Sequence, residues 1–130
     1  MILDTSAVLA IIFGEAGFEV LAQAISGASS CSVSAATFVE INIVAESRLG
    51  DLGVRQYQEV FRRGQVSIQP VTGEQAHIAC QAYSAFGRRR HPANLNFGDC
   101  FSYALAKATG EPLLFKGDDF RKTDVEPALP

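Results

Sequence analysis

The chain has 130 residues, of which 48% are hydrophobic and 19% charged, and its formal net charge is −3. That length supports one domain with its own core, and the composition excludes a disordered chain. No apolar run is long enough to span a bilayer, and the acidic balance excludes a general nucleic-acid coat protein.

Residues 1–3 read as a short buried strand and residues 5–13 as a helix broken by Gly14 and Gly17. Residues 18–25 resume helical spacing, and Gly27, Ala28, Ser29 and Ser30 form a turn signal. Residues 31–33 are a second strand. Ser34 is placed to cap a helix that runs to Leu49 and closes at Gly50. A separate helix over 54–64 carries Val54, Tyr57, Val60 and Phe61 on one face. Residues 66–70 form a strand that stops at Pro70. A helix over 72–86 follows, with Ala76, Ala79, Cys80 and Tyr83 in register. Residues 87–96 are a polar, basic loop, residues 98–109 a helix ending before Gly110, and residues 112–115 a strand. A turn over 117–120 and a last short edge strand from Val125 complete the chain.

Short apolar strands alternating with helices predict a parallel sheet covered on both faces, in a single domain over residues 1–130. Sites in such sheets form beyond the carboxyl ends of the strands, near a topological switch point. Cys31, Cys80 and Cys100 lack metal-ligand spacing and read as reduced thiols, and no positively charged stretch follows Met1. Both features favour a cytoplasmic protein without a signal peptide. His77 and His91 are too few and too scattered for a zinc site.

Four acidic positions stand out. Asp4 follows the first strand and precedes a helix, where an Asp serves either as an N-cap or as a reactive carboxylate. Glu40 has Ala36, Ile43 and Val44 at helical neighbour positions, an apolar setting that an unpaired carboxylate rarely occupies. Asp99 opens a largely apolar helix, with Ser102 and Tyr103 one turn on. Asp118 and Asp119 follow the strand over 112–115 and count as one position. Singly, each has an ordinary structural explanation. Together, they are set beside strand ends that a parallel sheet brings close. Clustered carboxylates repel one another, and a hard divalent cation relieves that repulsion.

Three stretches, MILDTSAVLAI, ATFVEINIVAESRLG and LNFGDCFSYALAKATGEPLLFKGDDFRKTDV, occur in this order over nearly the whole chain. They resemble the PIN-domain ribonucleases, specifically the VapC-type toxins of type II toxin–antitoxin systems. The resemblance implies a three-layer α/β/α sandwich with a short, mainly parallel sheet of four to five strands. It also implies Mg²⁺- or Mn²⁺-dependent hydrolysis of RNA phosphodiesters, a homodimer, and neutralisation by a cognate VapB-type antitoxin. Asp4, Glu40 and Asp99 match the family's first three acids, with Asp4 and Asp99 as direct metal ligands and Glu40 beside them. Asp119 matches the fourth, with Asp118 as its variable neighbour. Ser6 matches a supporting polar residue, and the Thr5 or Ser6 hydroxyl is expected to take over helix capping from Asp4. Arg88, Arg89, Arg90, Lys116, Arg121 and Lys122 are candidates for RNA phosphates, with Arg48 and Arg62 weaker ones.

Three rival readings remain at the level of sequence. A haloacid-dehalogenase-like phosphatase would need a second Asp where Ser6 stands. A phospho-receiver domain would need paired acids at the first strand and an Asp after the strand over 66–70. A pure interaction module would need no acid cluster at all.

Overall fold

The computed structural model describes residues 1–130. Its elements run β1 (Ile2–Leu3), α1 (Thr5–Ile12), α2 (Phe18–Gly27), β2 (Ser32–Ser34), α3 (Ala35–Gly64), β3 (Ser67–Gln69), α4 (Gly73–Phe86), α5 (Phe97–Thr109) and β4 (Leu113–Leu114). A 3-10 turn follows at Phe120–Lys122. All three strand pairings are parallel, in the order β3-β2-β1-β4.

Because side chains alternate across a strand, two adjacent residues of β1 serve two cores. Ile2 packs with α4, α5 and Leu113, whereas Leu3 packs with α1, α2, α3 and Leu114. Both are fully buried. The result is the expected α/β/α sandwich. The expected edge strand from Val125 shrinks to a single parallel bridge between Leu113 and Pro127, so the sheet has four strands.

The chain builds the sheet outward from β1 to β2 and β3, then returns to place β4 on the other side of β1. The switch point therefore lies between β1 and β4, whose carboxyl ends lead into Asp4 and Phe115 respectively. The backbone N–H of Asp4 donates to the Leu114 carbonyl at 2.9 Å, which extends the ladder to the first acid.

The two expected helices meet at Gly50 without an intervening loop. α3 runs from Ala35 to Gly64, with a break at Gly50 (φ 58°, ψ −143°). Gly50 adopts a left-handed φ without side-chain cost, so the helix bends there and resumes at once. Tyr57, Val54, Val60 and Phe61 join the core as their spacing predicts. Ser34 occupies the N-cap position of α3, but its Oγ caps nothing and is buried without a hydrogen bond. The α4 register is as expected, with Ala76, Ala79, Cys80 and Tyr83 on one face of the helix. Ala79 and Ala82 face the core, while Ala76, Cys80 and Tyr83 line an open apolar groove with Phe97, Cys100 and Phe101.

Candidate active site

Asp4 is 3% exposed and is held by three donors. Its Oδ2 accepts from the Ser6 backbone N–H at 3.0 Å and from the Ser6 hydroxyl at 2.6 Å. Its Oδ1 accepts from the fully buried Ser102 hydroxyl at 2.6 Å, and Ser102 Oγ lies 3.2 Å from Thr37 Oγ1. Asp4 is thus the N-cap of α1, and the expectation that Thr5 or Ser6 would take over that role is overturned. The α1 N-terminus offers its N–H groups directly to the nearest oxygen, which is that of Asp4. Thr5 instead donates its hydroxyl to Glu40 Oε1.

Glu40 reaches the site from α3, but not from an apolar face. The buried stripe of the first half of α3 is Thr37, Ile41 and Ala45, and Ile43 is exposed. Glu40 therefore sits at the edge of the packed face, where its carboxylate meets the start of α5. A Cβ added at Gly98 would stand 2.5 Å from Glu40 Oε2 and 2.7 Å from Oε1. Only glycine permits that approach. Gly98 is a site residue that the reading of acids alone overlooked, and its place directly before Asp99 was the available signal.

Asp99 is fixed by a capping box with Asn96. Its Oδ2 accepts from the Asn96 N–H at 2.9 Å, and its own N–H donates to Asn96 Oδ1 at 2.9 Å. The box leaves the carboxyl half-buried among other acids. Burial first, and then the neighbouring charge of Asp4, push Asp99 up to about 7, with smaller contributions from Glu40 and Asp119. The Asn96 N–H opposes the rise. The four acids thus share one electrostatic neighbourhood.

Asp118 and Asp119 are exposed, and they precede the 3-10 turn in which the Asp118 carbonyl accepts from the Arg121 N–H at 3.1 Å. Tyr103 does not join the pocket. Its hydroxyl donates to Asp124 at 2.7 Å, whereas Ser102, on the neighbouring position, turns inward to Asp4.

None of the five ion pairs involves Asp4, Glu40, Asp99 or Asp119. These four acids therefore have no cationic partner within the chain. No three of the acid side chains are gathered to ligand distance, and Asp4, Glu40 and Asp99 are each turned toward hydrogen-bond donors. The donor set is nonetheless all carboxylate oxygen, which suits a hard cation.

The candidate RNA-binding residues are dispersed. Arg88, Arg89 and Arg90 are exposed on the α4–α5 loop, and Arg90 lies 5.6 Å from the Tyr83 ring centroid. Arg121 covers Phe115 and donates to the Pro130 carbonyl at 3.1 Å, and Lys122 donates to the Pro92 carbonyl at 3.4 Å. Lys116 stands apart from these: its backbone N–H donates to Ser6 Oγ at 3.0 Å, and its Nζ pairs with Glu15 at 3.0 Å.

Comparison with known proteins is in keeping with this geometry. Residues 1–126 match the PIN domain family. The chain is 46% identical over 125 residues to Ribonuclease VapC of Mycolicibacterium smegmatis, covering 96% of this chain and 97% of that one. It is 43% identical over 129 residues to Ribonuclease VapC42 of Mycobacterium tuberculosis, covering 98% of each. Among solved structures, it superposes on Mycobacterium tuberculosis VapC20, a sarcin-ricin loop cleaving toxin, with a TM-score of 0.77 at 17% identity, covering 95% of each chain. It also matches VapBC2 from Rickettsia felis, bound to a promoter DNA fragment, with a TM-score of 0.75 at 10% identity, covering 97% of this chain and 95% of that one. These two likenesses concern the fold. With a family match over nearly its whole length and relatives above 40% identity, the chain belongs to the PIN-domain family and, within it, to the VapC-type ribonucleases.

Proposed function

We propose that the pocket around Asp4, Glu40, Asp99 and Asp119 hydrolyses RNA phosphodiester bonds as the toxin of a type II toxin–antitoxin pair. The observation that carries this is that Asp99 feels the charges of Asp4, Glu40 and Asp119, none of them ion-paired, beside the β1/β4 switch point of a PIN-family ribonuclease fold. A divalent cation, Mg²⁺ or Mn²⁺, would be held by Asp4 and Asp99, with Glu40 beside it and Asp119 at the pocket edge. Mg²⁺ keeps several waters and needs only one or two protein carboxylates, so a complete protein cage is unnecessary. When bound, the cation supplies activation of water and offsets charge on the phosphoryl oxygens.

The chain's own groups have separable tasks. Ser6 and Ser102 lock the Asp4 carboxylate in one orientation, so no rearrangement is needed to present it. Thr5 occupies Glu40 Oε1 and leaves Oε2 to orient the attacking water. Asp99 is held against ionisation by its neighbours, and a cation opposite it would draw its proton off. The capping box keeps Asp99 aimed from the start of α5.

A VapB-type antitoxin is the partner in this reading, as the toxin–antitoxin complexes sharing the fold suggest. A homodimer belongs to it as well, supported by Phe97, which is 79% exposed beside the α4–α5 groove. No helix is long and apolar enough to cross a membrane. The phosphatase and receiver readings are not favoured: Ser6, in place of a second acid, is committed to Asp4. Purified Asp4→Asn and Asp99→Asn proteins should lose metal-dependent RNA cleavage while keeping the wild-type circular dichroism spectrum. Full activity in either one would sink the assignment.

A further inference from the structure

Beside the acid pocket lies a second pocket of about 320 Å³, lined by Ser6, Leu9, Phe13, Glu15, Arg48 and Lys116. It brings together three elements distant in sequence: α1 and the turn after it, α3, and the segment leaving β4. We infer that this pocket holds an RNA backbone phosphate next to the one being cleaved, with Arg48 and Lys116 as its cationic walls. The inference rests on the ribonuclease reading and assigns the part of the substrate that extends away from the acids.

The physical argument starts from charge. An acid pocket repels the polyanion it must bind, so binding requires positive charge within a nucleotide's reach. Arg48 and Lys116 are the two basic residues that line the pocket beside Ser6, and five others make contacts away from it. Lys107 pairs with Asp124, and Arg62 and Arg63 pair with Glu59. Arg121 and Lys122 donate to backbone carbonyls. Arg48 makes no ion pair, and its guanidinium is set 5.0 Å over the Phe13 ring, which pre-orders a long side chain.

The second argument is connectivity. Ser6 belongs to both pockets: its hydroxyl donates to Asp4 Oδ2 and accepts the Lys116 N–H. Lys116 is therefore one hydrogen-bonded residue away from the first acid. Its ammonium is paired with Glu15 at 3.0 Å, and that pair is solvent-accessible on both sides. An exposed pair of this kind is worth little, so a phosphate can displace Glu15 from Lys116 at small cost. Glu15 is then the group that disfavours RNA, and the two cations are the groups that favour it.

The test is the salt dependence of cleavage of single-stranded RNA in the presence of Mn²⁺. Arg48→Gln and Lys116→Gln should each raise KM with little change in kcat, because a distant phosphate contact is made equally in ground and transition states. Each lost single-strand phosphate contact lowers the slope of log kcat/KM against log salt by about 0.7. The wild-type advantage over each variant should then shrink about 2.6-fold between about 50 and about 200 mM salt. Glu15→Gln should lower KM, and Arg48→Lys and Lys116→Arg should restore most of the loss, which separates charge from folding. Wild-type KM and slope in both Gln variants would overturn the inference. So would variants that bind the antitoxin more weakly yet keep wild-type KM, a result that would assign the pocket to the antitoxin. A wild-type protein that cleaves no RNA would instead overturn the ribonuclease reading on which the inference stands.

Discussion

Replacing Asp99 with Asn separates the electrostatic cost of the acid pocket from its packing. In the metal-free protein the Asp99 carboxyl rises from 3.8 to about 7, mainly through burial and then through Asp4. Between those values the folded state binds a proton that the unfolded state has released. Stability therefore falls as pH rises through this window, and the loss is complete above about 7. At roughly 1.4 kcal/mol per pH unit, the ceiling on that cost is about 4 kcal/mol. Asp99 is half-buried, and screening by water brings the expected figure to roughly 2 kcal/mol. Asn has nearly the same shape, and its side-chain oxygen can still accept the Asn96 N–H, so the capping geometry survives. Urea denaturation followed by circular dichroism in EDTA should show Asp99→Asn more stable than wild type by roughly 2 kcal/mol at pH 8. The two proteins should converge toward pH 4, where Asp99 is protonated in the folded state. Parallel stability curves for the two proteins across this range would refute the reasoning.

Adding Mg²⁺ or Mn²⁺ should stabilise the wild type at pH 8, by about 2.7 kcal/mol at a hundred times Kd, and Asp4→Asn should lose most of that gain. A thermal melt unmoved by either metal would count against a cation in the pocket. Gly98→Ala places a methyl group 2.5 Å from Glu40 Oε2, so the flexible end of Glu40 must swing away, and the variant should lose most of the cleavage rate with under about 1 kcal/mol of stability lost. A wild-type rate in that variant would show that the close approach of α5 to Glu40 is dispensable. Ser102→Ala deletes a buried donor to Asp4 and should destabilise the metal-free fold by about 1–3 kcal/mol, read by the urea midpoint.

Much of the architecture was legible from local pattern. The strands and helices fall close to where apolar runs, glycines and cap residues place them, because those signals act over a few residues. Where local pattern stopped short, a longer-range competition decided. Gly50 breaks the helix as its type predicts, but the packing of Val54 and Tyr57 against the same core decides that the second helix follows without a loop. Ala76, Ala79, Cys80 and Tyr83 share one helical face as expected, but how much of it is buried is decided by α5, which covers Ala79 and leaves the other three open. Glu40 was singled out for its apolar neighbours, although the true buried stripe runs one residue away. Ser102 was visible as a polar residue on an apolar helix, but its partner, 98 residues earlier, was not.

What the sequence by itself determined is the local chemistry: acids placed just after two short strands and at the start of α5, and a glycine before Asp99. What only the tertiary structure decided is their meeting. Parallel strands are joined through long crossovers, so nothing local states that β4 will pair with β1 and not with β3. That pairing is settled by which faces of Ile2, Leu3, Leu113 and Leu114 can be buried at once between two helical layers. Once it forms, Asp4 and Lys116 lie across one switch point, and Gly98 lets the start of α5 approach the Glu40 carboxylate.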